Sequence, residues 1–170
     1  MCLIPYSFFL SAAEQPNIIY ILADDMGYGD VAANNPNCKF PTPFLDQLAE
    51  EGMRFSDAHT NSSVCTPTRY GILTGRYSWR TRLQGGVLDG AAGPLIASDR
   101  TTVATFLKKQ GYNTACVGKW HLGMSWPTKD GKKPVRSRGD NIDFTQPVEN
   151  GPNDVGFDYY YGISASLNMP

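Results

Sequence analysis

An unbroken apolar run near the start of the chain predicts a strand that is buried on both faces. The run spans residues 18–23, is rich in β-branched and aromatic side chains, and contains no charged residue. Such runs are typical of the inner strands of parallel sheets. Asp24 and Asp25 follow it directly. Because open α/β sheets bind ligands beyond the carboxyl ends of their strands, we expect these two carboxylates to lie at a functional edge.

Two further segments, 42–52 and 101–110, combine helical periodicity with terminal signals. The first starts with a Thr-Pro pair and stops at a glycine, and the second is followed by Gly111. Both arrangements are common at helix ends. The apolar faces that we predict consist of Leu45, Leu48 and Ala49 in the first helix, and of Val103, Phe106 and Leu107 in the second.

Another helix is predicted from about Thr66 to Gly75, with Pro67 in its first turn, which would place Cys65 at its N-terminus. After the 101–110 helix, residues 112–117 read as a short strand that ends in a turn at 118–121. Strand, helix and strand in this order predict an α/β fold with a parallel sheet.

The rest of the chain reads mainly as loop. Residues 126–154 are rich in Pro, Gly, Lys, Asn and Asp, and a loop of this length is usually functional or disordered. The aromatic segment 156–162 is expected to pack back on the core. His59 lies in a stretch that alternates like an edge strand, and we interpret it as structural.

Charge and the N-terminus limit the possible partners. The 15 Lys and Arg residues nearly balance the 16 Asp and Glu residues, so no net field favours nucleic acid or an anionic membrane. Residues 1–13 are apolar and end in small residues but lack a basic start. They read either as a signal-peptide remnant or as a plain terminus, and they are too short to span a bilayer. We expect no membrane span, a periplasmic or secreted protein, and one domain over residues 14–170.

One cysteine stands out from the other three. The four, Cys2, Cys38, Cys65 and Cys116, show no paired spacing, which gives no support to a zinc or redox motif. The C-x-P-x-R pattern from Cys65 to Arg69, with its continuation to Arg76, resembles the signature of the formylglycine-dependent sulfatase family. Blocks at 16–30, 118–123 and 156–158 agree with that family in order and spacing, most like secreted bacterial arylsulfatase-like members.

This resemblance implies a fold and a nucleophile. The fold is an alkaline-phosphatase-like α/β fold with a mixed, largely parallel sheet sandwiched by helices, incomplete in this chain. The nucleophile is the hydrate of a formylglycine that a maturation enzyme produces from Cys65. Without the resemblance, a cysteine beside an arginine at a helix N-terminus would read as a reactive thiol.

The resemblance also implies a set of supporting groups. Arg69 would hold the formylglycine, Lys119 would contact the sulfate, and His121 would take a proton when the sulfated intermediate collapses. Asp24 and Asp25, with the modified Cys65, would bind one calcium ion, whose preferred ligands are carboxylate oxygens. Taken alone, each of these residues is more often a solvated or structural group.

The implied activity is hydrolysis of a sulfate monoester of a small molecule or a glycan. Two alternatives stay open: a phosphate or phosphonate monoester hydrolase on the same scaffold, and a truncated, inactive anion-binding protein. Five basic residues in the long loop could steer a sulfated glycan, although a solvated loop is the simpler interpretation. They are Lys129, Lys132, Lys133, Arg136 and Arg138.

Overall fold

The computed structural model of the protein describes residues 15–136 and 138–166. The chain divides into two compact units, Met1–Arg54 and Phe55–Pro170. The segment 1–13, which we interpret as a signal-peptide remnant, lies outside the described residues. No helix in the described ranges is long and apolar enough to cross a bilayer.

The first unit contains helix α1, Pro43–Glu51, and two short 3₁₀ turns, Tyr28–Asp30 and Ala32–Asn34. The predicted helix at 42–52 is thus confirmed. Asp46 joins α1 to the second 3₁₀ turn, because its Oδ1 accepts the Ala33 N–H at 2.7 Å and the Thr42 hydroxyl at 3.0 Å. No residue of α1 is buried, and these polar contacts connect the helix to the turn that precedes it.

The predicted strand at 18–23 is wrong for the described structure. The segment forms no ladder with any described residue, and its side chains are open to solvent, with Ile19 84% exposed. A strand exists only when a neighbour accepts and donates its backbone hydrogen bonds. An apolar run is buried in a sheet only when another segment pairs with it. No segment in the described part of the chain pairs with residues 18–23.

The second unit contains α2 (Cys65–Thr74), α3 (Val103–Lys109), β1 (Ala115–Lys119) and β2 (Tyr159–Ile163). The two strands are parallel and pair from Ala115 opposite Tyr159 to Lys119 opposite Ile163. A Cβ at Gly162 would lie 1.8 Å from the Gly118 carbonyl oxygen, so the close approach of the strands requires glycine there. The parallel pair confirms the predicted α/β class.

The observed strand is shifted from the predicted one. Strand β1 begins three residues later than the predicted 112–117 and runs on to Lys119. Gly118 and Lys119 therefore belong to the strand, and only the last two residues of the predicted 118–121 turn follow it. Just before β1, the backbone N–H and the hydroxyl of Thr114 both donate to Asp158 Oδ2.

The predicted apolar face of α3 is also wrong. Phe106 is 56% exposed, whereas Ala104 is 1% exposed. The helix is oriented by its cap: Thr102 Oγ1 accepts the Thr105 N–H at 3.1 Å and donates to the Val155 carbonyl at 2.6 Å. This long-range contact turns the small Ala104 inward and leaves Val103 and Phe106 outside.

The core of the second unit is built around Trp120. Its ring meets Phe157 and Tyr160 edge-on, at centroid distances of 6.5 and 6.4 Å. The remaining core residues come from α2, the loops and the strand ends: Tyr70, Leu88, Leu95, Ile96, Leu122, Met124 and Val155. Since Trp120 stands between Lys119 and His121 in the chain, the core fixes the backbone that carries two predicted site residues.

The segment 126–154 is a loop, as predicted, in all of its described residues except for a 3₁₀ turn, Asn153–Val155, that begins near its end. Isolated antiparallel bridges at Ser125–Glu149 and Thr128–Ile142 hold its two sides together. His59, predicted in an edge strand, lies in no strand and is exposed, with its Nε2 2.6 Å from Asp57 Oδ1.

Candidate active site

Cys65 is the first residue of α2, as predicted. The helix ends at Gly75, which adopts a left-handed conformation with φ of 66° and donates its N–H to the Gly71 carbonyl at 2.8 Å. The loop before Cys65 is tied to the helix by two hydrogen bonds: the Thr68 hydroxyl donates to the Ser62 carbonyl and Asn61 Nδ2 donates to the Pro67 carbonyl, both at 2.8 Å. These contacts hold the cysteine at a fixed point on the helix terminus.

The glycine inside the helix also has a packing reason. A Cβ at Gly71 would lie 2.3 Å from Asn61 Nδ2, a distance that no side chain can adopt. Gly71 thus lets Asn61 reach the first turn of α2. A glycine of the segment that follows Cys65 therefore has a structural role.

Lys119 meets Cys65 directly. Its Nζ lies 3.2 Å from Cys65 Sγ, although the two residues are 54 positions apart in sequence. Lys119 is the last residue of β1, so the parallel strand directs its ammonium group to the helix terminus. The first helical turn also leaves backbone N–H groups without helical partners. Together these groups form a cationic position suited to an anion bound beside residue 65.

Arg69 lies one helical turn after Cys65 and links α2 to β1. Its Nη1 donates to the Lys119 carbonyl at 2.5 Å, so the guanidinium group supports the backbone that carries the lysine. Its charge also acts on two nearby groups. Burial raises the pKa of the Cys116 thiol, and Arg69 partly offsets that effect. Burial likewise raises the pKa of Tyr160 to about 12, with Cys116 adding to the rise and Arg69 opposing it.

His121 is a buried residue, 2% exposed, with a left-handed backbone at φ of 57°. Its N–H donates to the Ser164 carbonyl and the Trp120 N–H donates to the Ile163 carbonyl, both at 2.9 Å. The ring Nε2 lies 2.9 Å from the Leu88 carbonyl oxygen. A non-glycine residue with positive φ is held only where the surrounding structure enforces it, and these contacts supply that restraint.

Asp24 and Asp25 lie in the first unit and are exposed, and Asp25 has φ of 59°. Among the described residues, no group of three or more His, Cys, Asp or Glu side chains could hold a metal ion. Calcium takes six to eight oxygen ligands, so the two carboxylates fit the ion in kind but supply only part of a coordination shell. The predicted calcium site therefore stays a prediction.

Ser166 is a site residue that sequence reasoning missed. Its hydroxyl lies 3.5 Å from Lys119 Nζ. The residue follows β2, just as Lys119 ends β1, and the carboxyl ends of parallel neighbours meet at one edge. That rule could have found it, had the strand at 159–163 been predicted and paired with β1.

Comparison with known proteins agrees with this geometry. A family model described as Sulfatase matches residues 16–170, and the chain belongs to the sulfatase family. It is 38% identical to an N-acetylgalactosamine-6-O-sulfatase from Bacteroides thetaiotaomicron, over 92% of this chain and 28% of that protein. It is 41% identical to arylsulfatase G from Mus musculus, over 92% of this chain and 25% of that protein.

A solved structure from Bacteroides thetaiotaomicron, described in connection with the metabolism of multiple glycosaminoglycans, gives a TM-score of 0.78 at 38% identity. The match covers 92% of this chain and 30% of that one. The predicted family and its α/β fold of alkaline-phosphatase type are confirmed. The chain spans about a quarter of the length of the curated relatives it matches.

Proposed function

We propose that the complete protein hydrolyses a sulfate monoester, of an aryl alcohol or a carbohydrate, with a formylglycine derived from Cys65 as its nucleophile. The observation that carries the proposal is the 3.2 Å approach of Lys119 Nζ to Cys65 Sγ in a chain of the sulfatase family. The sulfur atom stands where an oxygen atom of the modified residue would be. A cation beside that atom suits a reaction whose substrate and product are both anions.

The chemistry explains why the thiol itself is not the proposed nucleophile. Transfer of the sulfo group to a thiol gives an S-sulfo intermediate with no internal route for release. A hydrated aldehyde has two geminal hydroxyl groups. One attacks sulfur and gives up its proton as the S–O bond to the alcohol breaks and the alcohol oxygen gains a proton. The other then loses its proton, the C=O bond forms, and the C–O bond to sulfate breaks. Water then rehydrates the aldehyde.

The named side chains divide this work. Lys119 neutralises the sulfate charge as the oxygen atom of the alcohol departs. Arg69 donates a hydrogen bond to the backbone carbonyl of Lys119 and lies one helical turn after residue 65. His121 takes the proton of the second hydroxyl when the sulfated hemiacetal collapses. Ser166, next to the Lys119 ammonium group, provides a further hydroxyl for the bound anion.

Asp24 and Asp25 are proposed to hold one calcium ion together with the modified residue 65 and with ligands from elsewhere in the complete protein. When bound, such an ion lowers the cost of ionising a hydroxyl and polarises the oxygen atoms of the sulfate. Solvent alone could screen the repulsion between these two exposed carboxylates; the family resemblance is the reason to assign a calcium ion to the pair.

The substrate class and location extend the same proposal. The basic residues Lys129, Lys132 and Lys133 of the long loop are all exposed, so they are available to attract a polyanionic glycan but contact no buried site. The N-acetylgalactosamine-6-O-sulfatase among the relatives is consistent with a sulfated glycan substrate. We also propose a periplasmic or secreted location and a dedicated enzyme that matures Cys65.

The test is mass spectrometry of the complete protein, expressed in a host able to mature sulfatases. The tryptic peptide 55–69 is expected to carry an aldehyde at position 65 that reacts with a hydrazide. Cys65→Ala provides the matched blank. An intact, alkylatable Cys65 would remove the mechanism and favour the inactive anion-binding protein. Faster turnover of an aryl phosphate than of an aryl sulfate by the matured protein would favour the phosphate-ester alternative.

A further inference from the structure

We infer that Thr66 is a positioning residue that, through the peptide groups of Leu88, selects the tautomer and fixes the orientation of His121. The inference rests on the proposed function for the role of His121 as a proton acceptor. Thr66 is the first of the two variable positions of the C-x-P-x-R pattern, directly after the proposed nucleophile. Neither the motif nor the sequence pattern gives this side chain a role.

Three buried groups form a continuous connection. Thr66 is 0% exposed, Leu88 4% and His121 2%. The Thr66 hydroxyl oxygen accepts the Leu88 N–H at 3.1 Å. The Leu88 carbonyl oxygen lies 2.9 Å from His121 Nε2. The helix that carries the nucleophile is therefore joined to the histidine through one backbone residue of the intervening loop.

The chemistry of this connection determines where the proton sits. A carbonyl oxygen has no hydrogen atom to donate, so the contact is a hydrogen bond only when His121 Nε2 carries the proton. A neutral imidazole has a single ring proton, and Nδ1 is then the nitrogen with the free electron pair. His121 can accept a proton from the collapsing intermediate only at Nδ1. The Leu88 carbonyl thus specifies both the tautomer and the nitrogen that works as the base.

Thr66 matters because it holds the Leu88 residue in place. Replacing threonine by valine keeps the shape and removes the acceptor, which leaves a buried N–H without a partner. The free energy of the variant then falls if the Leu88 backbone rotates or shifts so that its N–H group reaches another acceptor. After Leu88, Asp89 Oδ1 accepts the Ala91 N–H at 3.0 Å, a contact within the loop that does not hold Leu88 against α2. The hydrogen bond from the Leu88 N–H to the Thr66 hydroxyl holds Leu88 against the helix that carries Cys65.

The kinetic test uses the complete, matured protein and an aryl sulfate. Thr66→Val is expected to lower kcat, expressed per aldehyde-bearing molecule, by roughly tenfold or more, with KM changed less than about threefold. Thr66→Ser keeps the acceptor oxygen and is expected to stay within about threefold of the wild type. Counting aldehyde by hydrazide labelling separates an effect on catalysis from an effect on maturation.

The spectroscopic test does not depend on turnover. In protein labelled with ¹⁵N-histidine, the ring signals of His121 are assigned by their loss in His121→Asn. The wild type and Thr66→Ser are expected to show the pattern of a single Nε2–H tautomer, and Thr66→Val a mixture of tautomers or a shifted pattern. Because this readout needs no substrate, failure of the proposed sulfatase activity and failure of this inference are distinguishable.

Thr102→Val is the matched control. Thr102 is also a buried threonine, 1% exposed, but it caps α3 and contacts Val155. Its replacement is expected to lower stability and leave the His121 signals unchanged. Wild-type kcat per aldehyde and an unchanged His121 pattern in Thr66→Val would overturn the inference. If Thr66→Val does not fold, the smaller variant Thr66→Ala takes its place. Its kcat per aldehyde and its His121 ring signals are then compared with those of the wild type.

Discussion

The two units of the chain differ in how their apolar side chains are covered. In the second unit, Trp120, Leu122 and Tyr70 are buried in one core, and the side chains of Cys65 and Lys119 meet at its margin. In the first unit, Ile19, Ile21 and Leu48 are largely exposed. The side chains around the proposed nucleophile are thus supported by a core within their own unit. Asp24 and Asp25 follow an apolar segment that has no strand partner among the described residues.

Cys65 and Lys119 rest on a completed core, so the distance between their side chains is defined. Asp24 and Asp25 carry the oxygen atoms that calcium prefers, but no described group completes a coordination shell around them. Variants of the complete protein would show whether this difference between the two units persists there.

Lys119→Met in the complete protein is expected to lower kcat about 100- to 1000-fold, because it removes the cation beside residue 65 at the moment when charge develops. Lys109→Met, at an exposed lysine in α3, is the control and should retain activity. The measurement is steady-state turnover of an aryl sulfate, normalised to aldehyde content. Equal activity of the two variants would place the lysine outside the reaction.

Asp24→Asn and Asp25→Asn are each expected to weaken calcium binding about 10- to 100-fold, since each removes a charged oxygen ligand. Activity should fall after chelation and recover at higher calcium in these variants than in the wild type. Asp57→Asn, at an exposed aspartate paired with His59, serves as the control. Turnover that is insensitive to chelation in all variants would contradict the assignment of a calcium ion.

Leu122→Ala in the complete protein is expected to lower the free energy of unfolding by about 2–5 kcal/mol, because the side chain is fully buried in the core. Leu48→Ala probes the other unit. Leu48 is 64% exposed, so we expect Leu48→Ala to change the free energy of unfolding by less than about 0.5 kcal/mol. Denaturant unfolding measures both values. A cost at Leu48 as large as that at Leu122 would show that this face of α1 is covered in the complete protein.

Asp158→Asn is expected to have the smallest effect. Lys108 and the Thr114 backbone and hydroxyl hold the pKa of this carboxyl down, to about 2. A carboxylate whose pKa is lower in the folded than in the unfolded state stabilises the fold above its unfolded pKa, and that contribution is lost as pH falls through the folded pKa. Wild type should exceed Asp158→Asn in stability above about pH 4, and the difference should disappear near pH 2. A stability difference that persists unchanged at pH 2 would contradict this role of the Asp158 carboxylate.

Local signals predicted the helices well. Helices α1 and α2 carry their own terminal residues, such as Pro43 and Gly75, so a short window of sequence determines where they begin and end. The orientation of α3 could not be read in this way, because it depends on the contact between Thr102 and Val155, 53 positions apart. The 18–23 strand failed for a related reason: an apolar run predicts burial, but a strand also needs a neighbouring segment, and no described residue pairs with this one.

The candidate site shows the same difference: local sequence predicts the positions of some of its residues, whereas the positions of others depend on long-range packing. The positions of Cys65 and Arg69 on one helix follow from the motif and its helical spacing. The approach of Lys119 to Cys65 was expected only from the family resemblance, because nothing in the spacing of residues 54 apart implies contact. Ser166 and the Thr66–Leu88–His121 connection depend on how β2 and the 88–91 loop pack. No pattern within either segment reports that packing.

We propose that the modified residue 65, and not the thiol, performs the reaction. The test is turnover of an aryl sulfate by preparations of the complete protein whose aldehyde content ranges from none to full, obtained by varying expression of the maturation enzyme. We expect kcat per total protein to rise in proportion to aldehyde content and to extrapolate to zero without it. Turnover by protein that carries only unmodified Cys65 would instead make the thiol the nucleophile.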